Sequence, residues 1–232
     1  MIIDCDQLAP WIAAVGTLLL AVIAIFQDVI RAWISKPRLV IIARTQPPCC
    51  HANVTMVQGI NDVSRVDGVY LRLRISNEGN STARGVEVFA EKLTKQQQDN
   101  SYREVTSFDP MNLMWSHIER PVMDSIPPQM HKYCGLGRIR DPQHRQLFPL
   151  EQIEGICANQ TVLVFALEVQ PNTKSHVVPP GNYRLLCKVG AANAKPRDFI
   201  VEINLSGTWY GREDQMLGEG VGIKIVKAGQ DM

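Results

Sequence analysis

The chain has 232 residues, a formal net charge of +1 and 20% charged residues. A balance this close to neutral excludes the concentrated basic footprint of a nucleic-acid binder, so no nucleic-acid partner is expected. No low-complexity tract occurs, and the length beyond the first apolar segment suffices for one large domain or two small ones.

A short tail, residues 1–7, precedes nineteen uncharged residues, Leu8 to Phe26. A run of that length crosses the hydrocarbon core of a bilayer as a helix. Pro10 suits a first helical turn, and Trp11 and Trp33 fall where headgroup boundaries would lie. The helix is expected to continue through QDVIRAWIS, so that the transmembrane and juxtamembrane segment covers residues 8–35, with Arg31 reaching for phosphates. A cleaved signal peptide would need a positive leading region and a small-x-small cleavage site. This chain instead begins with Asp4 and Asp6 and offers Gln27-Asp28-Val29. Lys and Arg are absent before the run, whereas Arg31, Lys36, Arg38 and Arg44 follow it. The positive-inside rule then places the N-terminus outside and the rest of the chain in the cytoplasm. Ala13, Thr17, Ala21 and Ala24 share one helical face, where small side chains would let a second copy approach closely and form a homo-oligomer.

From residue 36 to 207 the pattern is that of strands. Arg38 to Arg44 is a short apolar run, followed by Pro47-Pro48 and the adjacent Cys49, Cys50 and His51. Gly68 to Ser76 alternates, with Val69, Leu71, Leu73 and Ile75 facing one way and Tyr70, Arg72 and Arg74 the other. Asn77 to Ser81 is a turn, and Gly85 to Lys92 alternates again. The stretch 94–160 is irregular and reads as an insertion holding two strands, Leu113 to His117 and Lys132 to Ile139, with Trp115 a plug between sheets. Thr161 to Val169 is apolar on both faces and reads as a central strand. A Val178–Gly181 turn leads into an alternating strand, Asn182 to Gly190, and Phe199 to Leu205 alternates as well. Residues 208–232 form a tail that packs on the domain, with Val221 to Val226 able to close a sheet edge. Many short strands with Gly/Pro turns give an all-β domain, a sandwich or a barrel.

Three groups of residues invite a chemical reading. Tyr70, Arg72 and Arg74 line a wet strand face that would suit an acidic partner or anionic lipid, or would simply be solvated. Cys49, Cys50 and His51 carry zinc-ligand types, with His131 and Cys134 spaced three apart elsewhere, although vicinal cysteines do not readily turn to one metal. Ser116 and His117 are neighbours, but neighbours on a strand point to opposite faces. No nucleotide-binding, serine-hydrolase or zinc-protease motif occurs, so no catalytic residue and no cofactor are assigned.

LRLRISNEGNSTARGVEVF resembles the paired strands of immunoglobulin-like domains of the adhesion and CARDB type, in which a strand ends in N-x-G and a small residue leads into V-x-V. PPGNYRLLCKV is similar to their P-G-x-Y strand entry, and SIPPQMHKYCGLG to the strand before it. Tyr183 precedes Cys187 by four residues rather than two, so a tyrosine corner is not expected. The anchor-plus-sandwich layout resembles bacterial single-pass membrane proteins of uncharacterised role. The resemblance implies an immunoglobulin-like β-sandwich behind one transmembrane helix in the bacterial inner membrane, serving as a non-catalytic module for a protein partner. Two alternatives stand beside it: an oligomerising membrane effector whose sandwich senses a signal, and a metal- or thiol-dependent protein using Cys49 to His51.

Overall fold

The computed structural model describes residues 5–58 and 64–226. Residues 1–4 of the expected N-terminal tail and residues 227–232 of the expected C-terminal tail lie outside the described residues. The chain divides into two units between Lys36 and Pro37.

The first unit is one helix, α1 (Cys5–Ile34). Its window Pro10–Gln27, 18 residues with none buried, is long and apolar enough to cross a membrane. The helix starts earlier than the apolar run, so Pro10 sits in the second turn rather than the first and forfeits the bond to the carbonyl four residues back. Thr17 Oγ1 donates to the Ala13 carbonyl at 2.8 Å, which satisfies the hydroxyl within its own helix. Trp11, Ala13, Ala21 and Ala24 are exposed on α1. Arg31 and Trp33 belong to the helix by their backbone, and their side chains lie outside the described residues.

The second unit holds thirteen strands among the described residues. The early ones are β1 (Leu39–Ile42), β2 (Cys50–Gln58), β3 (Ser64–Asn77), β4 (Ala83–Gln96), β5 (Tyr102–Glu104), β6 (Met111–Asn112) and β7 (Val122–Ile126). The later ones are β8 (His131–Arg140), β9 (Leu163–Phe165), β10 (Val177–Val178), β11 (Gly181–Ala191), β12 (Ala194–Leu205) and β13 (Val221–Val226). The first sheet runs β1-β3-β8-β9-β10, with β2 also on β3; the second runs β13-β12-β11-β4-β5, with β6 and β7 also on β4. Every pairing is antiparallel.

The two sheets share one core. Val69, Leu71, Leu73 and Ile75 of β3 are all fully buried, as the two-residue alternation requires, and lie in one hydrophobic cluster with Val86, Val88 and Ala90 of β4 and Leu185, Cys187 and Val189 of β11. The turn after β3 is fixed by Asn77, whose side chain is fully buried and fully paired. Its Oδ1 accepts from the N–H groups of Arg38 at 3.1 Å and Gly79 at 3.0 Å, and its Nδ2 donates to the carbonyls of Ser81 at 2.7 Å and Ile126 at 2.9 Å. The N-x-G signature is therefore a hydrogen-bond hub holding three chain segments.

Trp115 is the expected plug, but not within a regular strand. Leu113 N–H donates to Val88 of the second sheet and Met114 N–H to Ala166 beside the first, both at 2.8 Å. The segment thus changes sheets, and its residues pair singly, Leu113 with Leu167 and Trp115 with Cys134. The expected strand Leu113 to His117 is corrected accordingly. Trp115 pairs by backbone with the first sheet, while its indole N–H reaches the Val86 carbonyl of the second at 3.2 Å.

The apolar stretch Thr161 to Val169 forms a regular strand only over Leu163–Phe165. Its outer face is buried because Ile153 and Ile156 pack on Val162, Val164 and Val177. Its close approach to β8 needs Gly137, where a Cβ would lie 2.6 Å from the Val164 carbonyl oxygen. The absence of a tyrosine corner is also corrected. Tyr183 is buried at the start of β11 and its hydroxyl donates to the Pro179 carbonyl at 2.8 Å, the backward bond that defines such a corner.

Candidate functional site

The outer face of the first sheet gathers the residues singled out by alternation. Tyr70 lies opposite Arg138 on β8, Arg74 opposite Tyr133, and Ser76 opposite His131. Arg72 is already committed. Its Nη2 donates to the Pro48 carbonyl at 2.6 Å, its Nη1 lies 3.5 Å from His117 Nε2, and its guanidinium stacks 4.9 Å from the centre of the Tyr133 ring. His131 meets Tyr133 edge to face at 5.5 Å, completing a row His131–Tyr133–Arg72–His117 across the face. The Arg74 side chain makes no hydrogen bond or ion pair among the described residues, and its Nε is buried without a partner. Neither Arg72 nor Arg74 has a carboxylate within ion-pairing distance among the described residues. Partial burial, with Arg74 and Lys132 adding to it, lowers the pKa of His131.

Farther along β8, Arg138 and Arg140 stand two residues apart and are bridged by the buried carboxylate of Glu151, at 3.5 Å from Arg138 Nη2 and in direct contact with Arg140 Nη1. Phe148 lays its ring 3.6 Å from the Arg140 guanidinium carbon. Two short 3₁₀ turns, Pro142–Leu147 and Pro149–Glu151, cover this end of the sheet; Phe148 joins them and Glu151 ends the second. Nothing in the sequence marks Glu151 as the partner of these arginines, because ten residues separate it from Arg140.

The metal reading of Cys49 to His51 loses its support. Cys49 and Cys50 are buried. Cys50 opens β2 and its Sγ lies 3.1 Å from the Arg44 carbonyl. Burial, with Cys49 beside it, pushes its pKa up to about 12, so the free thiol is protonated. No group of three His, Cys, Asp or Glu able to hold a metal occurs among the described residues.

Two further features had no sequence signal. His176 is fully buried, and neither ring nitrogen has a hydrogen-bond partner among the described residues. Burial lowers its pKa and the charge of Arg138 lowers it further. A cleft of about 820 Å³ opens between the 3₁₀ segment and the chain after β12, with Gln143, Gln146, Ile156, Asn159 and Trp209 among its walls.

The fold and this face define a class: two packed antiparallel sheets with a basic outer face, on which Arg72 and Arg74 have no carboxylate partner among the described residues, joined to a helix long enough to span a membrane. The chain matches no protein-family model, and no curated protein or solved structure is significantly similar to it.

Proposed function

We propose that this chain is a single-pass, non-catalytic recognition module of the bacterial inner membrane, with its N-terminus outside and its β-sandwich in the cytoplasm, where the face around Arg74 binds an acidic protein partner. The observation that carries the reading is that Arg72 and Arg74, on an otherwise ordered sheet face, have no carboxylate counter-charge among the described residues. Arg72 is held in place by Pro48 and Tyr133, so a carboxylate arriving there meets a pre-oriented guanidinium. The aromatic rings of Tyr70 and Tyr133 add contact area of the kind enriched at interfaces. The bilayer is the second partner, through α1, and the charges at Arg31, Lys36, Arg38 and Arg44 support the orientation.

An immunoglobulin-like topology is part of the proposal. The order β1-β3-β8 corresponds to strands A, B and E of such domains, and β12-β11-β4 to G, F and C. The Tyr183 hydroxyl bond at the entry to β11 supports the same assignment, since the corner belongs to strand F. The chain departs from the pattern by placing β9 and β10 after the E-like strand and by adding β13 beyond the G-like one.

The test is cross-linking in cells followed by mass spectrometry of wild type, Arg74→Glu, and Lys188→Glu on the opposite sheet. Loss of one reproducible acidic partner in Arg74→Glu alone supports the reading. Equal capture by all three overturns it. Self-cross-links that vanish when Ala13, Thr17 and Ala21 become Leu would instead favour the oligomerising effector.

A further inference from the structure

The cleft beside the 3₁₀ turns is separate from the arginine face, and its chemistry differs. Its size, about 820 Å³, falls in the range of about 300–1,000 Å³ typical of small-molecule sites. It holds two charged residues, Asp141 and Arg145, and both are engaged by the protein. Asp141 Oδ1 accepts from the Gln143 N–H at 2.9 Å, and its Oδ2 lies 3.9 Å from His144 Nδ1. Arg145 donates from Nη1 to the Gln160 carbonyl and from Nη2 to the Cys157 carbonyl, each at 2.8 Å. Neither charge is left over for a ligand, so a phosphate or carboxylate gains nothing here.

What remains unengaged is neutral. The side-chain amides of Gln143, Gln146 and Asn159 make no hydrogen bond among the described residues. Each supplies a donor pair and an acceptor. Trp209, half-buried against the core, also lines the cleft. An indole face is electron-rich and attracts the polarised C–H bonds on the flat side of a saturated ring. Amides that both donate and accept match vicinal hydroxyls, which do the same. A platform with surrounding amides and no free charge selects a ring that is apolar on its face and hydroxylated on its edge.

From this we infer that the cleft is a binding site for a neutral saccharide, with Trp209 as the stacking platform and Gln146 and Asn159 as hydroxyl readers. The site lies between the loop joining β8 to β9 and the chain after β12, on loops carried by the two-sheet scaffold, where binding residues are commonly found.

The test uses the full chain in nanodiscs, titrated separately with maltotriose, cellotriose, chitotriose and adenosine, with heat and tryptophan resonances as readouts. Saturable binding of at least one trisaccharide is expected, weakened about tenfold in the double variant Gln146→Ala/Asn159→Ala at an unchanged melting temperature. Trp209→Leu keeps apolar packing and removes the ring face, and it should abolish the signal. Failure of all three trisaccharides, binding that ignores both variants, or binding of adenosine alone overturns the inference. None of these results bears on the acidic partner, because Arg74→Glu leaves the cleft intact.

Discussion

The outer faces of the two sheets are built from the same alternation and differ in charge matching. On the second sheet Arg184, Lys224, Lys188 and Lys92 each meet an acid. Glu202 receives Arg184 at 2.9 Å and Lys224 at 2.7 Å, Lys188 reaches Glu91 at 2.8 Å, and Lys92 reaches Glu104 at 2.6 Å. Tyr102 also stacks 4.1 Å from the Arg184 guanidinium carbon. On the first sheet Arg138 and Arg140 share one glutamate, while Arg72 and Arg74 have none among the described residues. A face whose charges pair across strands is stabilised by its own neighbours. A face that orders arginines without acids holds positive potential for something outside the chain. Periodicity alone does not separate the two cases, because Arg72 and Arg184 both stand at outward positions of alternating strands.

Several substitutions would break or sharpen this contrast. Trp115→Ala should cost the most, about 3–5 kcal/mol, because it empties the core behind both faces and removes the bond to Val86. Both faces should lose order together in denaturant unfolding, and a loss confined to one sheet would disprove the shared core.

Glu151→Gln should follow, at about 3 kcal/mol, since it strands two partly buried arginines. Chemical denaturation measures it, and a change below about 1 kcal/mol would show that Glu151 is not their counter-charge.

Glu202→Gln should cost about 1 kcal/mol, whereas Arg74→Gln should stay within about 0.5 kcal/mol and lower partner affinity instead. That pair of measurements is the most direct check on the two faces. Hydrogen bonds from Lys224, opposed by desolvation and joined by Arg184, hold the Glu202 pKa below the ordinary glutamate value of 4.5. Its stabilising contribution is therefore present above pH 4.5 and is lost as the pH falls through the folded-state value. The pH–melting curve of Glu202→Gln should lack that acid-side loss.

The smallest effect is expected from His176. Its folded pKa lies below 6.5, so the unfolded chain binds the proton more readily. Stability should be complete above pH 6.5 and decline as the pH falls below it. His176→Phe should flatten the melting temperature between pH 7 and pH 5.5, and an unchanged slope would show that the decline comes from another group, such as His131.

Much of the scaffold was legible. The strand Gly68 to Ser76 buries the four residues its alternation assigned, the Asn77 turn is where N-x-G placed it, and Val221 to Val226 closes an edge. The apolar run at the N-terminus is a helix of spanning length. These features depend on local periodicity and on side chains bonding their own neighbours, and both are written in consecutive residues. The two-faced apolar stretch after Thr161 was legible as buried, but not what buries it.

Tertiary structure decided the rest. Arg72 became a clamp for Pro48 and Tyr133 rather than a free stripe residue, since a carbonyl 24 positions away lies within its reach. Tyr183 formed its corner despite the unusual Cys spacing, because the bond depends on the path of the preceding turn and not on the cysteine. Glu151, His176 and the amides of the cleft acquired their meaning only when residues 141–160 folded back over the sheet. Alternation along the chain sets which side chains face outward. Which of those find a counter-charge depends on strand order and loop path, and these are set by the packing of the whole domain.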